Sequence, residues 1–192
     1  MKNTLSALLL AVSAVGSCAL AAVNLKGVQF PDTFEVANQP LLLNGAGIRV
    51  KLIFDIYAAS LYLPHKQTSA QGVLSETGAK SVQAVLLRQL TSEEFVAALI
   101  KGFKANNSEA DVIRFAPKLE ALEALMKTVP SAPKGTAVVI NFVPGAGTRI
   151  LVDGKQRGTD IPGEDFYVAL LKIWLGDKPV DADLKAALLH GQ

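Results

Sequence analysis

The sequence predicts an α+β fold, a largely antiparallel sheet with helices packed on one face. Three observations carry this reading. Strands and helices follow one another in blocks, without the regular βαβ alternation of a parallel sheet. A long β-rich stretch runs from Ile48 to Leu63, dense in β-branched and aromatic residues. A helix start is written at Thr91-Ser92-Glu93-Glu94, where Thr91 is an N-cap and Glu94 stands three residues on, forming a capping box.

Composition bounds the answer. The chain has 192 residues, 50% hydrophobic and 19% charged, enough for one domain with a proper core. Its 19 Lys+Arg against 17 Asp+Glu leave a formal net charge of +2, too small a field to mark a nucleic-acid binder. One Cys and two His, His65 and His190, leave a zinc site almost without ligands and rule out an internal disulfide. No metal or cofactor is expected.

The first 21 residues read as an export signal. A polar start carrying Lys2 precedes the small and apolar run Ala7 to Leu20, and Ala19-Leu20-Ala21 supplies the small residues of a cleavage site. Cleavage is expected after Ala21, leaving residues 22–192 as one domain in the periplasm or outside the cell. The apolar run is shorter than the roughly 20 residues of a spanning helix, so no stable membrane span is expected. Val15-Gly16-Ser17-Cys18 offers an alternative, lipidation at Cys18.

Along the remaining chain, Val23 to Phe30 and Thr33 to Ala37 read as strands with turns at Pro31-Asp32 and Asn38-Gln39-Pro40. Leu41 to Gly47 is an apolar approach to a glycine pair. Ile48 to Phe54 and Ile56 to Leu63 are strands, stopped by Pro64. Ser69 to Ser75 is a short helix and Ser81 to Leu90 a strand. The capped helix runs to about Ala105 with Phe95, Leu99 and Phe103 on one face. Glu109 to Lys127 is a second helix whose apolar face carries Ile113, Leu119, Leu122, Leu125 and Met126. Pro117 inside it predicts a kink or break. After a linker from Val129 to Gly135, Thr136 to Val143 and Arg149 to Val152 are strands, and Asp153-Gly154 signals a hairpin turn. Gly163 to Leu175 is a helix closed by Gly176, and Pro179 to Leu189 a last short one.

The sharpest motif is Asn44-Gly45-Ala46-Gly47-Ile48-Arg49. A phosphate cradle needs a helix directly after its glycines; here a strand follows, so dinucleotide binding is set aside. The glycines are expected to let the chain turn tightly toward a cleft. Arg49 is the odd residue of its strand. It belongs either to a solvated sheet edge or to an apolar cleft, where its guanidinium needs an acceptor.

The stretch from Leu43 to Arg49, followed by Ile56-Tyr57-Ala58-Ala59-Ser60-Leu61-Tyr62-Leu63-Pro64, resembles the signature of the chalcone isomerase-like proteins, and most their exported bacterial branch. Leu87-Arg88 leading into the capping box, Gly102-Phe103-Lys104-Ala105-Asn106, and the block Ala169 to Val180 extend the resemblance over essentially Ala22 to Leu189. It implies an open, mostly antiparallel β-sheet backed by a layer of α-helices, with a ligand cleft between the two. It also implies that Arg49 faces the ligand, steadying negative oxygens in the isomerases and a carboxylate in the fatty-acid binders. Of the isomerase's other polar groups, a threonine aligns with Tyr57, a tyrosine with Phe95 and an asparagine with Gly102, leaving Asn106 or Asn107 as a substitute.

Other chemistry has little to draw on. No G-x-S-x-G occurs, and the acidic pairs Glu93-Glu94 and Glu164-Asp165 stand at helix starts, where they cap. Arg88 and Arg114 are salt-bridge candidates. The expected function is a periplasmic binder of a fatty acid or similar amphipathic acid, with Arg49 at the head group and Tyr57, Phe95 and Asn106 around it. One alternative is an intramolecular lyase acting on a flavonoid-like molecule, with Arg49 and Tyr57 catalytic. Another is an interaction protein with a vestigial cleft. A lyase would surround Arg49 with donors; a binder would add a long apolar tunnel. Oligomeric state is left open.

Overall fold

The computed structural model describes residues 22–129 and 131–190. The export signal, its cleavage point and Cys18 lie outside the described residues. The chain begins with β1 (Ala22–Leu25), β2 (Val28–Pro31), β3 (Thr33–Val36), β4 (Gln39–Lys51) and β5 (Phe54–Leu63). Helix α1 (Ala70–Ser75), β6 (Lys80–Leu86) and β7 (Leu90–Thr91) lead to the helices α2 (Ser92–Asn106) and α3 (Glu109–Lys127). Then come β8 (Ser131–Ala132), β9 (Ala137–Val143), β10 (Gly147–Val152) and β11 (Lys155–Gln156), followed by α4 (Glu164–Leu175) and α5 (Ala182–His190).

Seven strands form one open sheet in the order β11-β10-β9-β6-β5-β4-β3, and each neighbouring pair is antiparallel. The fold is therefore the α+β arrangement expected. On one face Tyr57, Leu61 and Leu63 of β5, with Val82 and Leu86 of β6, join a core with Leu99, Phe103, Phe166, Leu170 and Trp174 of α2 and α4. The opposite face is apolar too. There Val36, Leu41, Leu43, Ala58 and Tyr62 are covered by Leu25 and Phe30 of the β1–β2 hairpin. Tyr62 pins that cover by donating its hydroxyl to the Pro31 carbonyl at 2.9 Å.

The helix starts follow the sequence signals. Glu94 N donates to Thr91 Oγ1 at 3.2 Å and Thr91 N donates to Glu94 Oε2 at 2.9 Å, completing the capping box. Ser69 and Ser108 cap α1 and α3 more simply, each side chain accepting one backbone N–H, from Gly72 and Asp111. The Asp153-Gly154 turn joins β10 to β11 with both residues at positive φ, 49° and 73°, as a two-residue hairpin demands.

Several expectations are corrected. Val23 to Phe30 is not one strand but the β1–β2 hairpin, turning at Lys26 (φ 53°) and Gly27 (φ 87°). Leu41 to Gly47, read only as an apolar approach to the glycines, is strand throughout, the middle of the 13-residue β4. The strand expected to reach Phe54 stops at Lys51, and Leu52-Ile53 form the hairpin turn into β5. Pro117 does not break α3, which runs unbroken from Glu109 to Lys127. Pro117 and Ile113 both lie on its exposed side, where water can take the carbonyl that proline leaves unpaired. Ile113, 68% exposed, is thus outside the apolar face, which Phe115 joins instead.

Candidate functional site

The β4–β5 pair carries two bulges, and they set the site. Between Leu43↔Tyr62 and Gly45↔Leu61 the extra residue is Asn44; between Arg49↔Tyr57 and Val50↔Asp55 it is Ile56. Asn44 turns its amide inward. Its Nδ2 donates to the carbonyls of Leu188 (2.7 Å) and Gln67 (3.0 Å), and its Oδ1 accepts from Gln67 N at 2.7 Å. The glycines that follow do not turn the chain, and neither adopts positive φ. They seat α5. A Cβ on Gly45 would stand 2.2 Å from the Ala187 carbonyl oxygen, and one on Gly47 would stand 2.7 Å from Ala187 Cβ. At the far end of α5, Asp181 accepts from Leu184 N at 3.0 Å and from Val50 N at 2.8 Å. The strand segment bearing Arg49 is thereby tied to the start of α5.

The register places Arg49 directly across from Tyr57, on the helix side of the sheet. The Arg49 guanidinium lies over the Tyr57 ring, 5.4 Å from its centroid. Tyr57 is 3% exposed, and its hydroxyl accepts a hydrogen bond from Trp174 Nε1 at 2.9 Å. Burial pushes the Tyr57 phenol above its ordinary range, only partly opposed by the Arg49 charge and the Trp174 bond. Tyr57 therefore keeps its proton near neutral pH and is a donor, not a base. Arg49 is half-buried, and its Nε is buried without a hydrogen-bond partner.

These groups border a small pocket of about 20 Å³, lined also by Phe95, Ala98, Leu99, Ile173, Trp174 and Val180. That is room for about one water-sized group. Outside it opens a groove of about 620 Å³, which Arg49 and Phe95 also line. Ile56, Leu90, Ala97, Ala98, Ala105, Pro179 and Val180 give the groove apolar walls. Arg49, Lys51, Arg88, Lys101 and Lys178 make it cationic against one acid, Glu94. A second groove of about 530 Å³ lies by α3 and α4, but its Arg114 is bridged to Asp111 (3.0 Å) and Asp165 (2.8 Å).

Of the residues singled out in the sequence, the fold brings Arg49, Tyr57 and Phe95 together and leaves Asn106 aside. Asn106 Nδ2 donates to the carbonyls of Gly102 (2.9 Å) and Lys178 (2.7 Å), and its Oδ1 accepts from Lys178 N at 2.8 Å. It fastens the end of α2 to the loop after α4. Asn107 is held likewise by Phe103 and Ala169. Arg88 forms no ion pair among the described residues; it stacks on Phe54, 5.1 Å from the ring centroid. Sequence reading missed two participants. Trp174 looked like core because it keeps helical spacing with its neighbours. Asp181 carried a usable signal, an Asp just ahead of an apolar-periodic segment.

The sequence model of the chalcone isomerase-like proteins matches residues 22–190. The chain belongs to that family. Among solved structures, the crystal structure of a fatty-acid binding protein from Arabidopsis thaliana superposes with a TM-score of 0.65 at 15% identity, covering 88% of this chain and 96% of that one. At that identity the likeness establishes a shared fold. Among curated proteins no sequence matches. Within this family fold, the groove and the Arg49–Tyr57 pair lie between the sheet and α2.

Proposed function

We propose that this chalcone isomerase-like protein is an exported binder of an amphipathic acid such as a fatty acid, with the carboxylate held at Arg49. The observation that carries this reading is the pair of donors at the small inner pocket. The buried Arg49 Nε lacks a partner, and the Tyr57 hydroxyl accepts from Trp174 while its own proton has no acceptor among the described residues. Two donors at a pocket sized for one small group call for an acceptor oxygen. The fatty-acid binding protein of the same fold supports the same class of ligand. The expected long tunnel is replaced by the open groove: 20 Å³ admits no alkyl chain, whereas 620 Å³ lies within the usual range for small-molecule sites. The tail would lie along the apolar walls from Phe95 to Val180.

Calorimetric titration with palmitate tests this. A charge-assisted hydrogen bond contributes about 1.5–3 kcal/mol, so Arg49→Ala is expected to weaken binding about ten- to a hundredfold with the fold intact. Arg49→Lys should recover only part, since an ammonium lacks the planar fork. Unchanged affinity in Arg49→Ala defeats the proposal. The same two donors favour one second reading, an intramolecular lyase in which Arg49 and Tyr57 steady a developing oxyanion. Rapid, Arg49-dependent cyclisation of a chalcone would put that reading first.

A further inference from the structure

The tip of the β4–β5 hairpin breaks the ordinary rules for a turn. Leu52 is 88% exposed and Ile53 85%, and beside them Phe54 is 52% and Val50 42% exposed. Two-residue hairpin turns favour Asn, Asp or Gly, which are polar or tolerate positive φ. Here Leu52 adopts φ 59° with a branched aliphatic side chain. Neither hairpin stability nor solubility explains two adjacent aliphatics at this apex.

The charges around the tip point one way. Lys51 pairs across from Phe54, and the Arg88 guanidinium lies over the Phe54 ring. Lys101 and Lys178 face the same groove. Among the described residues none of these four takes part in an ion pair. Of the nearby acids, Asp55 is paired with Lys26 at 3.3 Å, while Glu94 and Asp181 accept backbone amides and are outnumbered by the cations. Together these features make an apolar point flanked by Lys51 and Arg88, next to a groove that adds Lys101 and Lys178. A hairpin apex is too small to supply the roughly 1,000 Å² that a stable protein interface needs. It is well shaped for shallow entry into a bilayer, where aliphatic side chains reach the acyl boundary and Lys and Arg meet anionic headgroups.

We infer that the β4–β5 tip docks the protein on an anionic lipid bilayer, inserting Leu52 and Ile53 while Lys51, Arg88, Lys101 and Lys178 contact the headgroups. Docked in this way, the groove opens toward the membrane, and an amphipathic acid can pass between bilayer and groove without crossing bulk water. That last consequence rests on the binder reading; the docking does not.

The test is co-sedimentation of the full chain, expressed with its own N-terminal segment, with phosphatidylglycerol–phosphatidylcholine vesicles and with phosphatidylcholine vesicles. Binding is expected to the anionic vesicles and to weaken as salt rises. Leu52→Asp/Ile53→Asp should lower the partition at least about a hundredfold, from the burial lost by two aliphatic side chains. Leu52→Asn/Ile53→Gly should lose binding while suiting the turn, which separates docking from folding. Neither residue lines the groove, so palmitate affinity in solution should match the parent, and cargo binding and docking can fail separately. Equal sedimentation of parent and both variants overturns the inference. So does self-association that depends on the tip without any vesicle binding.

Discussion

Gly45→Ala is expected to destabilise the protein by about 3 kcal/mol, the upper end of the overpacking range, by forcing α5 off β4. The added Cβ would stand 2.2 Å from the Ala187 carbonyl oxygen and 2.7 Å from that of Leu188. Both are backbone atoms, so no rotamer change relieves the clash and the helix itself must move. Movement also strains the Asn44 hydrogen bond to the Leu188 carbonyl, which serves a last-turn acceptor that α5 cannot satisfy internally. Gly47→Ala gives the internal comparison. Its Cβ would meet Ala187 Cβ at 2.7 Å, which moves only with the α5 backbone, and Leu184 Cδ1 at 3.1 Å, which a rotamer change can relieve. It should cost less than Gly45→Ala, about 2 kcal/mol, because α5 has less far to shift. Urea unfolding of both variants checks the ranking, and a Gly45→Ala no less stable than Gly47→Ala would refute the seating role. Because Asp181 joins α5 to Val50, beside Arg49, palmitate affinity should fall in Gly45→Ala as well.

The same glycines show where sequence reading stops. The capping box at Thr91, the Asp153-Gly154 turn and the block order of elements are local, and the fold obeys them. The role of Gly45 and Gly47 is written about 140 residues away, in the helix that lies on them; nearby sequence shows only two poor strand formers. Pro117 misled for a related reason. A proline's effect depends on whether water can reach the carbonyl it orphans, and that follows from which side of α3 faces out. Arg49 and Tyr57 were recognisable one by one through family resemblance, but their pairing was not. It depends on the bulge at Ile56, and a one-residue change of register moves a side chain to the other face. Asn106 was misplaced because an asparagine near a cleft and an asparagine fastening a helix end look alike in sequence. Only the carbonyls it meets tell them apart.

Lys80 leads to the second large effect. No sequence signal marked it, yet its side chain is completely buried. Its ammonium reaches Glu164 Oε1 at 3.1 Å, near the start of α4, and lies 5.1 Å from the Phe142 ring centroid. Glu164 is half exposed, so the pair joins a dry cation to a wet carboxylate. The two partners should then respond unequally. Lys80→Ala removes a buried stem of several methylenes and leaves a cavity between β6 and the start of α4, at a cost of about 3 kcal/mol. Lys80→Met fills most of that volume and leaves only a solvated carboxylate behind, so it should cost less than about 1 kcal/mol. Glu164→Gln leaves a buried ammonium facing a neutral amide, with Phe142 and the Gly78 carbonyl at 3.4 Å as its remaining support. Its expected cost is about 2 kcal/mol, between the other two, because solvent around Glu164 already screens the pair. Reversible denaturant unfolding of the three variants reads the order directly. If Lys80→Met proves as damaging as Lys80→Ala, the charge stabilises the fold and the packing argument fails. If Glu164→Gln is silent, the ammonium is held by Phe142 and the backbone alone.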